Sequence, residues 1–160
     1  MVKKEEVVWA LLRLFIGFIF LWGFLDKLFG LGFSTAKDKA WLLGASPTAG
    51  FLKSTSGIFS NIFQSMAGSV LVDWLFMLGL LLIGVCLIFG IALRTTGYAG
   101  ALFMLILWLA LIPLEHNPIL DEHIINFLVL IGISIVRPMK FSLAKNWYNY
   151  SFVKKYSILR

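Results

Sequence analysis

Charge is the first thing this sequence lacks. Only 14% of its 160 residues are Asp, Glu, Lys or Arg, where a soluble globular domain carries about a quarter. Acids are scarcer than bases, 8 against 14, which leaves a net charge of +6. Cysteine occurs once, at Cys86, so a paired thiol–disulfide centre is excluded on this chain. The 2 histidines, His116 and His123, both lie near the same predicted helix end, which excludes a bis-histidine haem held across a bilayer. No P-loop, serine-nucleophile or c-type haem motif is present, and no flavin motif is seen. Gly30 and Gly32 are not followed by the third glycine of a dinucleotide fingerprint, nor preceded by a strand. The cations are scattered rather than gathered into a stripe, so no nucleic-acid partner is expected.

What the chain has instead is apolar length: 60% of its residues are hydrophobic, and they come in blocks. Residues 7–25 are interrupted only by Arg13, residues 74–93 hold no charge, and residues 95–114 hold none either, with Pro113 near their end. A fourth block, 124–136, makes only about 20 Å of helix against a hydrocarbon core of about 30 Å. It is therefore expected to begin upstream, with Asn117 as N-cap and Pro118 as first helical residue. These blocks predict an all-α membrane protein, an antiparallel four-helix bundle with spans at about 7–27, 71–93, 97–113 and 118–136. The first block exceeds a signal-peptide core and lacks a small-residue cleavage site, so it reads as a retained helix.

Orientation follows from the basic residues. With four spans, one side holds Lys3, Lys4, Arg94, Arg137, Lys140, Lys145, Lys154, Lys155 and Arg160, and the other Lys27, Lys37, Lys39 and Lys53. That bias places both termini in the cytoplasm of a cell whose inner membrane the chain crosses. Residues 30–69 are expected to form a structured outer cap. Thr35 would cap one short helix ending at Gly44, Ser46 and Pro47 would open another, and Ile58, Phe59, Ile62, Phe63 and Met66 would share an apolar face. The tail, 139–160, mixes lysines with Trp147, Tyr148, Tyr150, Phe152 and Tyr156, a composition suited to the inner leaflet. No internal repeat is seen.

Four segments bring ionisable groups to the outer end: Asp26 and Lys27 close the first span, Asp73 opens the second, Glu115 and His116 fill the last turn, and Asp121, Glu122 and His123 begin the fourth span. Charge at a membrane boundary meets water at little cost, and acids at helix N-termini complement the dipole. Against this, the short fourth block draws its acids towards hydrocarbon, where ionisable groups turn inward and pair or function. Asn126 continues that polar face one turn beyond Glu122. The His and carboxylate groups here lack one-turn histidine spacing and the HExxH pattern, so no metal is expected. Arg13 lies two turns inside the first span with no acid at its depth. It either snorkels to the inner surface or meets an anionic ligand or a quinone carbonyl.

The stretches "FLWGFLDKLFGLGF", "AWLLGASPTAGFL" and "HNPILDEH" resemble the DoxX/DoxD family of small prokaryotic membrane proteins, and the likeness runs from about Arg13 to Pro138. The resemblance implies four membrane helices. Its DoxD branch implies the membrane subunit of a thiosulfate:quinone oxidoreductase working with a small second subunit and membrane quinone.

Two functions are thus expected to compete. In a quinone-linked oxidoreductase, Asp26, Lys27, Glu122 and His123 would line an outer vestibule, with Lys27 holding a sulfur anion and His123 carrying protons. Arg13, Asp73, Glu115, His116, Asp121 and Asn126 would complete the substrate-binding set. In a non-enzymatic membrane scaffold or partner protein, for which a homo-oligomer is one form, the same outer charges would be structural salt bridges.

Overall fold

The computed structural model describes residues 4–114, 117 and 119–156. Among these the chain is helical, with no strand. Helix α1 (Lys4–Phe29) is followed by two single 3-10 turns, Lys37–Lys39 and Trp41–Leu43. Then come two short cap helices, α2 (Ala49–Ser54) and α3 (Ser60–Ser65). Helices α4 (Val70–Phe89), α5 (Leu93–Leu111) and α6 (Glu122–Val136) follow, and α7 (Ala144–Trp147) and α8 (Ser151–Lys155) close the described chain.

Three helices, α1, α4 and α5, are long and apolar enough to cross a membrane. At 1.5 Å per residue they measure about 39, 30 and 28 Å. Helix α6 is also apolar but has 15 residues, about 22 Å. All four present large apolar side chains outward, among them Phe15, Leu75, Leu102 and Ile125, each more than half exposed. Inward, Ile16, Phe20, Met77, Leu87, Leu130 and Ile133 form one core.

The four helices run alternately up and down. Gly17 lies against Leu87 and Gly23 against Leu80, so α1 and α4 are antiparallel. Gly97 meets Ser134 and Gly100 meets Leu130, which sets α6 antiparallel to α5. Lipid gives helices little hydrophobic reason to associate, so small residues that let backbones approach carry the packing. A Cβ on Gly84 would lie 2.7 Å from the Leu21 nitrogen, and one on Gly97 would lie 2.7 Å from the Leu130 carbonyl oxygen. Both contacts are with backbone, which cannot step aside.

The turn between α4 and α5 is short because Gly90 takes φ +67°, and the Ile91 N–H returns to the Cys86 carbonyl at 3.0 Å. This glycine-ended helix closure satisfies carbonyls that would otherwise lack partners. Helix α5 ends at Leu111, two residues before Pro113, as the restriction a proline places on its predecessor requires.

Several sequence expectations shift. Helix α6 begins at Glu122 and is capped by Asp121, which accepts from His123 N at 3.0 Å and Ile124 N at 3.3 Å. Asn117 instead accepts from the Ile119 and Leu120 amides, a local turn before the helix, and Pro118 lies outside the described residues. An aspartate two residues from the amides outcompetes an asparagine four residues further back. In the cap, Thr35 opens no helix: the segment to Gly44 makes only two 3-10 turns, separated by Ala40 in extended conformation. Ser46 does act near the start of α2, its Oγ accepting from Ala49 N at 3.0 Å. Pro47, however, stands outside that helix.

Candidate functional site at the outer end of the bundle

Asp26 is in the last turns of α1 and only 1% exposed. Its carboxylate accepts from Phe33 N at 3.2 Å, Ser34 N at 3.0 Å and Ser34 Oγ at 2.6 Å. The chain can curl back over it because Gly30 and Gly32 take φ +64° and +88°, conformations without penalty only for glycine. A buried carboxylate needs donors on its lone pairs, and three are supplied locally. Lys27 follows it in sequence but turns elsewhere, half-buried, with Nζ 5.8 Å from the centre of the Phe76 ring on α4.

Asp73 occupies the first turn of α4 and is 6% exposed. It accepts from Ser46 Oγ at 2.8 Å and Thr48 Oγ1 at 2.5 Å. The cap is thereby tied to α4 at the start of α2. Trp41 reinforces the seam, meeting Trp74 edge to face at 4.8 Å. Thus Asp26 and Asp73 each fasten a different part of the cap, and both are held by hydroxyl or amide donors rather than by cations.

The start of α6 is a third, separate group. Besides capping the helix, Asp121 takes His123 Nδ1 on its other oxygen at 2.7 Å. That bond orients the imidazole. Glu122 is exposed, and Asn126 lies one turn further along, half-buried. Asp121, Glu122 and His123 have potential ligand atoms within 4.8 Å of one another. Asp121 already spends its oxygens on two amides and the imidazole, however, so it is poorly placed to be a metal ligand.

A cleft of about 560 Å³ opens beside this group. Its polar residues are Ser54, Thr55, Ser56, Asn117, Asp121 and Glu122, and Phe51, Leu111 and Leu114 are among its apolar ones. Thr55 and Ser56 carry no signal in the sequence. Gln64 Nε2 on α3 holds the Thr55 carbonyl at 2.6 Å, and Gly57 lies close against the Ile112 carbonyl just past α5. Glu115 and His116 lie outside the described residues.

The expected shared vestibule is therefore resolved into three sets with different partners: Asp26 with the loop 33–34, Asp73 with residues 46 and 48, and Asp121 with His123, where Asp121 and Glu122 line the cleft.

Arg13 departs furthest from expectation. It is 0% exposed and does not snorkel. Nη1 donates to the carbonyls of Leu87 and Ile88, the latter at 2.9 Å, and Nη2 donates to those of Lys140 and Phe141, each at 2.9 Å. Helix α4 ends at the depth of Arg13, so the guanidinium meets the negative end of that helix where no acid is needed. Its fork spans two chain segments, and its role is to join them. Gly90 packs closely against the guanidinium, where a Cβ would lie 2.8 Å from Nη1.

Comparison with known proteins adds no relative: no family model, no curated protein and no solved structure matches this chain.

Proposed function

We propose that this chain is a DoxX/DoxD-like, multi-pass protein of the inner cell membrane that serves as a non-enzymatic scaffold or partner subunit. In this reading α6 is the fourth span, shortened where its outer turn meets the cap, and both termini lie in the cytoplasm. The lipid-facing side chains of α6 and the excess of Lys and Arg at its far end support that topology. A cysteine scan tests it: in a Cys86→Ala background, Ser54→Cys should react with an impermeant maleimide on intact cells and Ser151→Cys should not.

The observation that carries the scaffold reading is the use of the buried carboxylates to fasten the cap. Asp26 takes three donors from residues 33–34 on its two oxygens, and Asp73 takes two cap hydroxyls on Oδ1, so each is committed to a structural partner. Purified protein that carries no quinone and is inert towards thiosulfate with its neighbours present supports this reading. Turnover of a quinone by the purified chain and its partner subunit would overturn it.

One observation favours the oxidoreductase reading: the cleft at the start of α6, lined by Asp121 and Glu122 together with apolar residues, next to a His123 aligned by Asp121. A quinone ring suits such a cleft, and a histidine oriented by a carboxylate suits proton transfer. If that reading holds, His123→Gln assembles normally and loses turnover.

A further inference from the structure

No acid follows Glu122, whereas Arg137, Lys140, Lys145, Lys154 and Lys155 lie within the described part of that segment. The composition suggests a loose interfacial anchor. The geometry is different. Arg13 holds the carbonyls of Lys140 and Phe141, and Leu143 N donates to the Phe89 carbonyl at 2.8 Å. Ala144 and Val153 are both 0% exposed. Helices α7 and α8 therefore form a ledge fixed under the α4–α5 turn.

Between ledge and turn runs a groove of about 420 Å³, lined by Phe89, Ile91, Leu143, Trp147, Tyr150 and Phe152. Asn146 is the polar residue of its wall. Leu143, Tyr150 and Phe152 are each about half exposed, so the apolar surface continues out of the groove. Lys145 and Lys155 are exposed on the same two short helices. An apolar slot on helices that also carry exposed cations, next to Asn146 and three residues beyond Phe152, matches the junction of acyl chain and anionic headgroup.

We propose that this groove holds an acyl chain of one anionic phospholipid whose headgroup phosphate meets the lysines of α7 and α8. Charge complementarity selects the occupant. A zwitterionic lipid, whose choline offsets its phosphate, would gain the groove but little from Lys145 and Lys155, and no Asp or Glu follows Glu122. The inference requires a membrane protein but is independent of whether the outer cleft is catalytic.

Short-chain phosphatidylglycerol and phosphatidylcholine, titrated into the detergent-solubilised full chain and followed by native mass spectrometry, test it without reference to orientation. The wild type should bind phosphatidylglycerol more tightly. Lys145→Gln with Lys155→Gln should weaken that binding by about fivefold per lysine and leave phosphatidylcholine unchanged. Asn146→Trp, at an exposed position, should fill the groove and weaken both lipids. Equal affinity of the wild type for the two lipids, or phosphatidylglycerol binding untouched by either variant, overturns the proposal. Binding of neither lipid also overturns it and leaves the basic ledge to an acidic soluble protein.

Discussion

Replacing Arg13 with methionine keeps an unbranched apolar stem in α1 and removes the fork that joins α4 to the segment after Pro138. Four carbonyls lose a donor: those of Leu87, Ile88, Lys140 and Phe141. Hydrogen bonds between membrane helices average about 0.6 kcal/mol each, so four contribute about 2.4 kcal/mol. Bonds from a charged donor are stronger, but relief from burying an unpaired cation offsets part of the loss. The expected destabilisation is about 2–3 kcal/mol, measured by unfolding in mixed micelles with increasing dodecyl sulfate. Arg13→Lys should lose about half as much, because an ammonium is a point donor that cannot bridge two segments as a planar fork does. A second readout isolates the joint: limited trypsin digestion should cut the Arg13→Met protein at Lys145 much faster than the wild type, as the ledge detaches. Wild-type stability together with an equally protected Lys145 would refute the clamp.

The two buried carboxylates should respond differently to amide substitution. Asp73→Asn should be mild, since the Ser46 and Thr48 hydroxyls rotate to donate or accept. Asp26→Asn should lose hydrogen-exchange protection at Phe33 and Ser34, because those backbone N–H groups only donate and half of the new amide opposes them. Asp121→Ala removes the cap of α6 and should cost about 1 kcal/mol in the same unfolding assay, with earlier exchange of the His123 and Ile124 amides as its mark. Gly97→Ala should destabilise by about 1–3 kcal/mol, as overpacking does. Gly23→Ala should be neutral, since its new methyl would find nothing nearer than 3.9 Å. Equal stability of these two glycine variants would show that α5 and α6 do not depend on close backbone approach.

Read alone, the sequence already determined that the chain is helical and built for lipid, because apolar blocks with few charges leave no other way to satisfy the backbone. It also placed the end of α5 near Pro113, but it chose the wrong residue to open α6. Asn117 and Asp121 both have the chemistry of a cap, and only the distance to particular amides separates them. Nor could it place Arg13. An arginine with no acid at its depth reads as a snorkelling side chain until α4 is seen to end beside it and the segment 140–141 to fold underneath. The same holds for Asp26 and Asp73. Their partners lie 7–8 and 25–27 residues away, in a cap whose path depends on left-handed glycines and on hydroxyl orientations that a residue pattern does not encode. Local chemistry thus set the helices and their boundaries, whereas tertiary structure alone decided which polar groups were spent on holding the fold and which remained open in the outer cleft. A hydrogen bond is a matter of tenths of an ångström, and those are settled only when distant segments meet.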